Sequence, residues 1–146
     1  MLESAIWKRL STDATLAAGL ALFDFGDGPA PAVFAHDPAP YPCAAPLVTI
    51  YQEPSEIDDT RGNPGFRMVY RVTLWGDRLT PPPILRGLAW RINLLLHRHA
   101  FTGTDLPSGI ASMIPMQCDP PQNTTDPDGF PGYFIYTAAT IWREGA

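Results

Sequence analysis

Proline is the residue that most constrains how this chain can fold. Of the 146 residues, 17 are proline, whereas average usage of roughly 5% would give about 7. Most of them fall into three groups, since six lie in 29–46, three form the run 81–83 and five lie in 115–131. Because proline lacks a backbone N–H and breaks helix interiors, these groups mark loops and helix ends. The stretches between them are expected to hold the regular elements.

Composition predicts a single folded domain over residues 1–146. Hydrophobic residues make up 45% and charged residues 17% of the chain, which excludes a largely disordered protein and suggests faces that meet other proteins. The net charge is −5 without any block of basic residues, so tight binding to nucleic acid or to an anionic membrane is disfavoured.

The compartment is predicted from cysteine usage and from the N-terminus. Cys43 and Cys118 are the two cysteines and form no C-x-x-C spacing, so neither a zinc ribbon nor a disulfide framework is encoded. The first ten residues lack the apolar region of a signal peptide, and the apolar runs are too short to span a bilayer. We therefore expect a soluble protein of a reducing, cytosolic environment.

The segment from Leu2 to Phe23 is predicted to form two short helices. The sequence Ser11-Thr12-Asp13 interrupts it, and these residue types prefer caps to helix interiors. Apolar residues recur at four-residue spacing on both sides of the interruption, which predicts one stripe that needs a sheet to cover. The stripe consists of Leu2, Ile6, Leu10, Leu16 and Leu20. Residues 26–46 are expected to be a loop with at most one short strand, at Ala32 to Ala35.

The next two strands are predicted to form a long hairpin. Leu47 to Gln52 is rich in β-branched and aromatic residues, and Glu53 to Gly65 is predicted to be a polar loop. From Phe66 to Trp75 the residues alternate between two faces. The predicted core face carries Phe66, Met68, Tyr70, Val72 and Leu74, and the other face carries Arg67, Val69, Arg71, Thr73 and Trp75. The tip of this hairpin is expected to extend beyond the sheet.

The second half of the chain is predicted to repeat the order of helix and strand pair. Pro81-Pro82-Pro83 marks a helix start, because a proline in the first turn loses no hydrogen bond. The helix is expected to continue to about Ala100 with an apolar stripe across the sheet. That stripe consists of Ile84, Leu88, Ile92, Leu95 and His99. A strand from Ile110 to Gln117, a polar loop from Cys118 to Gly129 and an aromatic strand from Tyr133 to Arg143 are expected to form a second long hairpin.

This order of elements predicts an α+β fold. The expected architecture is a mainly antiparallel β-sheet with long hairpins and with the helices packed on one face. Trp7 and Trp90 are expected in the core, whereas Trp75 and Trp142, near strand ends, are candidates for a subunit contact.

The candidate chemical sites have plainer structural explanations. His97 and His99, two residues apart on a predicted helix, point about 200° apart and cannot share one metal ion. His36 and Asp37 could form a base and its orienting acid, but no nucleophile lies beside them in the proline loop. Two acidic groups could bind calcium, yet neither has EF-hand spacing. These groups are Glu53, Glu56, Asp58 and Asp59 in one loop, and Asp119, Asp126 and Asp128 in the other.

Common catalytic signatures are missing from the sequence. There is no dinucleotide-binding, phosphate-loop, serine-hydrolase or metalloprotease motif, and this favours a binding or assembly protein over an enzyme. We therefore expect no catalytic residue, no cofactor and no metal.

The chain resembles a family of virion proteins. The features that carry the resemblance are the two N-terminal helices, the strand within Pro46 to Gln52, the alternation from Arg67 to Trp75, the helix to His99 and the final aromatic strand. Together they are similar to the tail terminator (tail-completion) proteins of long-tailed double-stranded-DNA bacteriophages. The resemblance spans nearly the whole chain and rests on alternation and spacing, without an invariant chemical signature. Residues 29–46 and the run 81–83 are departures from it.

The resemblance implies a structural role without catalysis. Members form a ring, usually six-fold, that caps the last ring of the tail tube, stops its polymerisation and joins the tail to the neck or connector. The implied partners are other copies of the chain, the tube protein and the neck or connector protein, with DNA passing through without specific binding and with no membrane. The implied location is the head-proximal end of the virion tail, after assembly in the host cytoplasm.

Two sets of residues are candidates for this role. Arg67, Arg71 and Trp75, with Trp142, are expected at an interface, because Arg and Trp are enriched among interface hot spots. The acidic residues Glu53, Glu56, Asp58 and Asp59 are expected in a solvent-facing loop that could line the ring lumen. The alternatives are a head-tail connector or neck protein of the same virus type, or a small enzyme that uses His36 and Asp37 or the acidic loops.

Overall fold

The computed structural model describes residues 2–36, 39–40, 42–54, 56–60 and 63–143, and for 56–60 and 63–64 only the backbone. Three α-helices and ten strands are formed within these residues. The helices are α1 (Glu3–Thr12), α2 (Ala14–Gly19) and α3 (Pro82–Leu96). The strands are β1 (Leu22–Asp24), β2 (Pro29–Pro31), β3 (Val33–Phe34), β4 (Leu47–Gln52), β5 (Glu56–Thr60), β6 (Asn63–Trp75), β7 (Ile110–Met113), β8 (Gln117–Cys118), β9 (Gln122–Thr125) and β10 (Pro131–Arg143).

Two long antiparallel strands, β6 and β10, form the centre of the sheet. They pair from Trp75 with Gly132 to Gly65 with Trp142. On its other edge β6 pairs with β4 and β5, and β10 pairs with β7, β8 and β9 in succession. β3 adds a short parallel strand next to β4, while β1 and β2 form a separate two-stranded sheet. The predicted α+β class and mainly antiparallel sheet are confirmed.

Both predicted polar loops contain strands, so they are shorter than predicted. Within Glu53 to Gly65, β5 pairs antiparallel with the beginning of β6. The register shifts by one residue between Gln52 opposite Tyr70 and Glu56 opposite Arg67, as a β-bulge requires. Within 118–129, β9 pairs with β10, and a tight turn remains at Asp126 to Phe130. Pairing with a long central strand determines these polar strands, although their own sequences lack apolar alternation.

The N-terminal helices follow the prediction up to Gly19. The predicted apolar stripe is buried in full: Leu2, Ile6, Leu10, Leu16 and Leu20. The second helix was expected to reach Phe23, but it ends at Gly19 and the chain continues as β1. The loop expected over 26–46 contains β2 and β3. Main-chain hydrogen bonds from Ala32 to Ala21 and from Val48 to Ala32 tie this segment to the sheet edge.

α3 begins as predicted, with Pro81 as N-cap and two prolines in its first turn. It ends at Leu96, before the predicted Ala100, because Arg98 takes a left-handed conformation with φ 61°. The Arg98 N–H donates to the Met116 carbonyl at 2.7 Å, and the Met116 N–H donates to the His99 carbonyl at 2.8 Å. Backbone pairing with another segment therefore replaces the last expected helical turn.

The core lies between the helices and one face of the sheet. Alternate residues of β6 point into it as predicted, and Met68, Tyr70, Val72 and Leu74 are all buried, with Phe66 partly buried at its margin. From α3 the buried residues are Leu85, Leu88, Ala89, Ile92, Leu95 and Leu96. Ile84 was expected in this stripe but is 53% exposed. No helix within the described residues has the length and apolarity needed to cross a membrane.

Asp13 joins the helices to each other. Its carboxylate accepts hydrogen bonds from the Leu16 N–H at 2.9 Å, as the N-cap of α2, and from the Arg91 guanidinium at 2.7 and 3.0 Å. The hydrogen bond from Arg91 lowers the pKa of Asp13, burial opposes this, and the Leu16 N–H lowers it further. A carboxyl with a lowered pKa stabilises the fold above its unfolded pKa of about 3.9, and this stabilisation is lost as the pH falls through the folded value.

We expect Asp13→Ala to lower the free energy of unfolding by about 2 to 3 kcal/mol at neutral pH, through loss of the cap and of the charged hydrogen bonds. Denaturant melts should show that the deficit shrinks below about pH 4, where protonation of Asp13 weakens the same contacts in the parent protein. Asp105→Ala is the matched control, since the exposed pair between Lys8 and Asp105 contributes at most about 1 kcal/mol. Equal losses for the two variants at neutral pH would contradict this account.

Candidate docking surface on the outer face of the sheet

The face of the sheet that points away from the helices carries a row of aromatic and arginine side chains. Alternation along β6 and β10 places them there, because residues directly opposite in an antiparallel pair share a face. We name this set the outer sheet face. It comprises Tyr51 of β4, Arg67, Arg71 and Trp75 of β6, and Phe134, Tyr136 and Trp142 of β10. None of the described helices packs on it, and its members range from half-buried to exposed.

Arg71 lies at the centre of the outer sheet face. Its Nη1 atom is 3.6 Å from Glu53 Oε1, and its guanidinium carbon is 4.9 Å from the centre of the Tyr51 ring. In the sheet register it stands opposite Tyr51 on one side and Tyr136 on the other. The ion pair and the ring contact fix the direction of a cation that still has about a third of its side chain exposed. A positioned arginine among aromatic rings is typical of protein interfaces.

Trp75 lies at one end of the outer sheet face. It was expected at a subunit contact, but part of its side chain packs within the subunit. It packs against the small cluster of Ala32, Phe34 and Leu47. Gly132 lies opposite it, and a Cβ atom at that position would come within 2.7 Å of the Trp75 ring. Glycine at 132 therefore leaves the space that this indole occupies. A cavity of about 270 Å³ opens beside Trp75. Its lining is Arg71, Thr73, Trp75, Thr124, Phe134 and Tyr136.

Arg67 and Trp142 lie at the other end of the same face. Arg67 is exposed and stands opposite Thr140, and Trp142 is half-buried and stands opposite Gly65. The structure thus brings all four residues expected at an interface onto one face, with Arg71 between the two ends. Whether this face binds a partner remains a prediction.

The predicted acidic loop is not a loop. Glu53 lies at the border of the outer sheet face and is paired with Arg71, with about a quarter of its side chain exposed. Glu56, Asp58 and Asp59 belong to β5, which pairs with β6, and their side chains lie outside the described residues. The expected loop is therefore corrected to a strand over Glu56, Asp58 and Asp59, whereas the exposure of these acids to solvent stays a prediction.

The histidine side chains make hydrogen-bond and ring contacts within the subunit. His97 Nδ1 accepts a hydrogen bond from the Cys118 N–H at 3.0 Å, and the His99 ring packs edge-on against Phe101 at 5.0 Å between ring centres. Burial lowers the pKa of His99, and the nearby Arg9 adds to this effect. Both residues lie beyond the end of α3, so the helical geometry assumed for them was wrong. His36 packs edge-on against Phe34, and Asp37 lies outside the described residues.

The acidic and histidine side chains are the candidate metal ligands of the sequence. Among the described residues, no three or more His, Cys, Asp or Glu side chains are grouped closely enough to hold a metal ion. Asp126 instead caps its own turn, with its carboxylate accepting a hydrogen bond from the Phe130 N–H at 2.8 Å.

A solved structure of another protein is similar to this fold. No protein-family model and no curated protein matches the chain. Among solved structures, a chain of the "Virion of native gene transfer agent (GTA) particle" matches it with a TM-score of 0.69 and 15% sequence identity. The match covers 96% of this chain and 93% of that one. The two chains share a fold. This likeness to a chain of the gene transfer agent virion extends over nearly the full length of both, so it includes the helices and the sheet together.

Sequence reasoning missed several members of exposed surfaces. Tyr51 and Tyr136 flank Arg71 only through the register of three strands, and no local pattern predicts that register. Trp90 was expected in the core but is 51% exposed on α3. Its position in the helical repeat could have predicted this exposure, because Trp90 lies on the side of α3 opposite the buried Ile92.

Proposed function

We propose that the chain is a structural virion protein, a tail terminator that forms a ring on the last ring of a tail tube. The observation that carries this proposal is the shared fold with a chain of a gene transfer agent virion, at a TM-score of 0.69 and over nearly all of both chains. The order of elements that resembles the tail terminator family supports the more specific role. The ring stops tube polymerisation and joins the tail to the neck or connector.

The outer sheet face supports an assembly role. Interfaces are enriched in Arg, Trp and Tyr, and such residues contribute most when they are central and held in place. Arg71 has both properties, since the Tyr51 ring and Glu53 hold it in the middle of the sheet. We assign this face to the contact with the tail tube.

Electrostatics is compatible with passage of DNA through the ring. Each chain carries a net charge of −5, so a ring of several copies is strongly acidic overall. An acidic wall repels the phosphate backbone and favours sliding over binding. We propose that Glu53, Glu56, Asp58 and Asp59 contribute to that wall.

The proposal is tested by mass and by imaging. We expect the purified chain to form a closed ring, either alone or when tail tubes of the same virus are added. A head-to-tail contact between identical subunits must close or continue as a filament. Sedimentation gives the mass, and electron microscopy of the tubes shows whether a ring caps one end. A chain that stays monomeric at high concentration and in the presence of tubes would refute the proposal, and a ring that binds only the purified connector would assign the chain to the neck.

A further inference from the structure

The outward side of α3 is an exposed apolar surface. Trp90 and Leu94 are 51% and 66% exposed, and Arg86 is exposed one turn before Trp90. These three residues, spaced four apart along the helix, share one side of α3, and we name them the α3 outer face. Large apolar side chains grouped on one exposed helix face are typical of a surface that another protein covers. The core does not need them, because six other residues of α3 already fill it.

Arginine supplies all the charged side chains of α3 and of the segments directly before and after it. Residues 78–104 contain four arginines and no Asp or Glu, while Asp13 and Asp119 of other segments lie against the helix. Arg91 is bound to Asp13, while Arg78, Arg86 and Arg98 are exposed. A partner for the α3 outer face is therefore expected to combine apolar side chains with carboxylates.

The hairpin formed by β1 and β2 has that composition. Leu22 is 63% and Phe25 is 41% exposed, and Asp24 and Asp27 are exposed beside them. These two aspartates are the charged residues of the hairpin segment 22–31, which contains no Lys or Arg. Phe25 also packs against Phe23 and Phe34, with ring centres 4.9 and 5.4 Å apart. The exposed side chains thus project from a packed base, which lowers the entropy lost on binding.

The two surfaces lie on opposite sides of the same subunit. The β1–β2 hairpin is attached at the β3 edge of the sheet, where the Trp7 indole N–H of α1 also donates to the Val33 carbonyl at 2.7 Å. α3 lies towards the other edge, where the Asn93 amide donates to the Asp119 carbonyl at 2.9 Å. Because β4 and β6 separate the β3 edge from β10, on which α3 packs, we expect the two surfaces to meet between copies.

The orientation of α3 agrees with this placement. Arg91 binds Asp13, and Leu88 lies next to Gly19, so that flank of the helix faces α2. At about 100° per residue, Trp90 and Arg86 lie on the opposite flank, directed away from the hairpin of their own chain. The α3 outer face is therefore open to a neighbour.

We propose that the α3 outer face of one copy binds the β1–β2 hairpin of a second copy. The contact is heterologous, with a different surface on each partner, and repetition of such a contact closes a ring. This inference rests on the proposed ring and names its subunit contact, which leaves the outer sheet face for the tube.

The first test is Trp90→Asp, measured by sedimentation under the conditions in which the parent protein forms its ring. We expect association to weaken at least about 30-fold, the equivalent of losing one interface hot spot. Ile114→Asp is the matched control, since Ile114 is 46% exposed outside both surfaces, and its ring should persist. Circular dichroism should show both variants folded, because each residue is exposed.

A charge exchange makes the test specific for the pair of surfaces. Arg86→Glu alone and Asp27→Arg alone should each weaken the ring, and the double variant should restore it, with effects that diminish in high salt. Rings of normal stability in both Trp90→Asp and Arg86→Glu would overturn this inference while leaving the proposed function intact. Normal rings that no longer bind tail tubes would overturn it as well and would assign α3 to the tube. A parent protein that never forms a ring, even with tubes, contradicts the proposed function itself and the inference with it.

Discussion

Replacement of Tyr70 by aspartate is expected to unfold the protein. Tyr70 is fully buried, and its hydroxyl accepts a hydrogen bond from the Leu2 N–H at 2.8 Å. Aspartate would place a short carboxylate in an apolar core and would leave a cavity where the ring lay. The combined cost exceeds about 4 kcal/mol, which is a large part of the 5 to 15 kcal/mol that typically stabilises a domain. Loss of cooperative thermal melting, followed by circular dichroism, is the measurement.

Tyr70→Phe is the matched control for this prediction. It keeps the ring and removes the hydroxyl, which accepts from the Leu2 N–H and donates to Met68 Sδ, so we expect a folded protein that is less stable by about 1 to 3 kcal/mol. A Tyr70→Asp variant that melts like Tyr70→Phe would mean that the centre of the sheet tolerates a charge, and the assignment of this face to the core would have to be abandoned.

Removal of the arginine at the centre of the outer sheet face is expected to abolish control of tail length. Arg71→Ala should leave a folded subunit, because the ion pair and ring contact that it loses are partly exposed and weak. If this face binds the tube, truncation at its centre costs about 2 kcal/mol or more of binding free energy. Tails assembled with the variant should then be overlong in electron micrographs.

Two further variants define the outer-sheet experiment. Trp75→Ala should also give overlong tails, but Trp75 packs on Leu47 and Phe34, so its truncation is expected to lower stability as well. Arg78→Ala is the control, since Arg78 is exposed in the turn before α3 and outside the outer sheet face. Tails of normal length with folded Arg71→Ala and Trp75→Ala would exclude this face as the tube contact.

Local sequence predicted the elements whose stability is local. Asp13 both caps α2 and interrupts the preceding helix, so the break between α1 and α2 could be read from one short polar segment. The alternation of β6 predicted which of its residues are buried, and for the same reason it placed Arg67, Arg71 and Trp75 together on the opposite face.

The elements that local sequence did not predict depend on contacts with residues that are distant in sequence. β5 and β9 are polar and are strands because β6 and β10 supply their hydrogen-bond partners. The end of α3 is determined by pairing with Met116. Apolar residues occur on both sides of α3, and periodicity alone does not distinguish those that face the core from those on the α3 outer face. Tyr51 and Tyr136 joined the candidate surface only when the strand register was known.

The central position of β10 has a consequence for how the protein acquires its structure. β10 separates β6 from the short strands β7, β8 and β9, although it follows all of them in the chain. Its contacts with β6 join residues as far apart in sequence as Gly65 and Trp142, and such distant pairings slow folding. During synthesis, the edge of β6 that pairs with β10 lacks its hydrogen-bond partner until β10 has been made, and the apolar core face of β6 is incompletely covered. A ribosome-bound chain that ends before β10 should therefore be open to proteases and to chaperones, which bind exposed apolar surface.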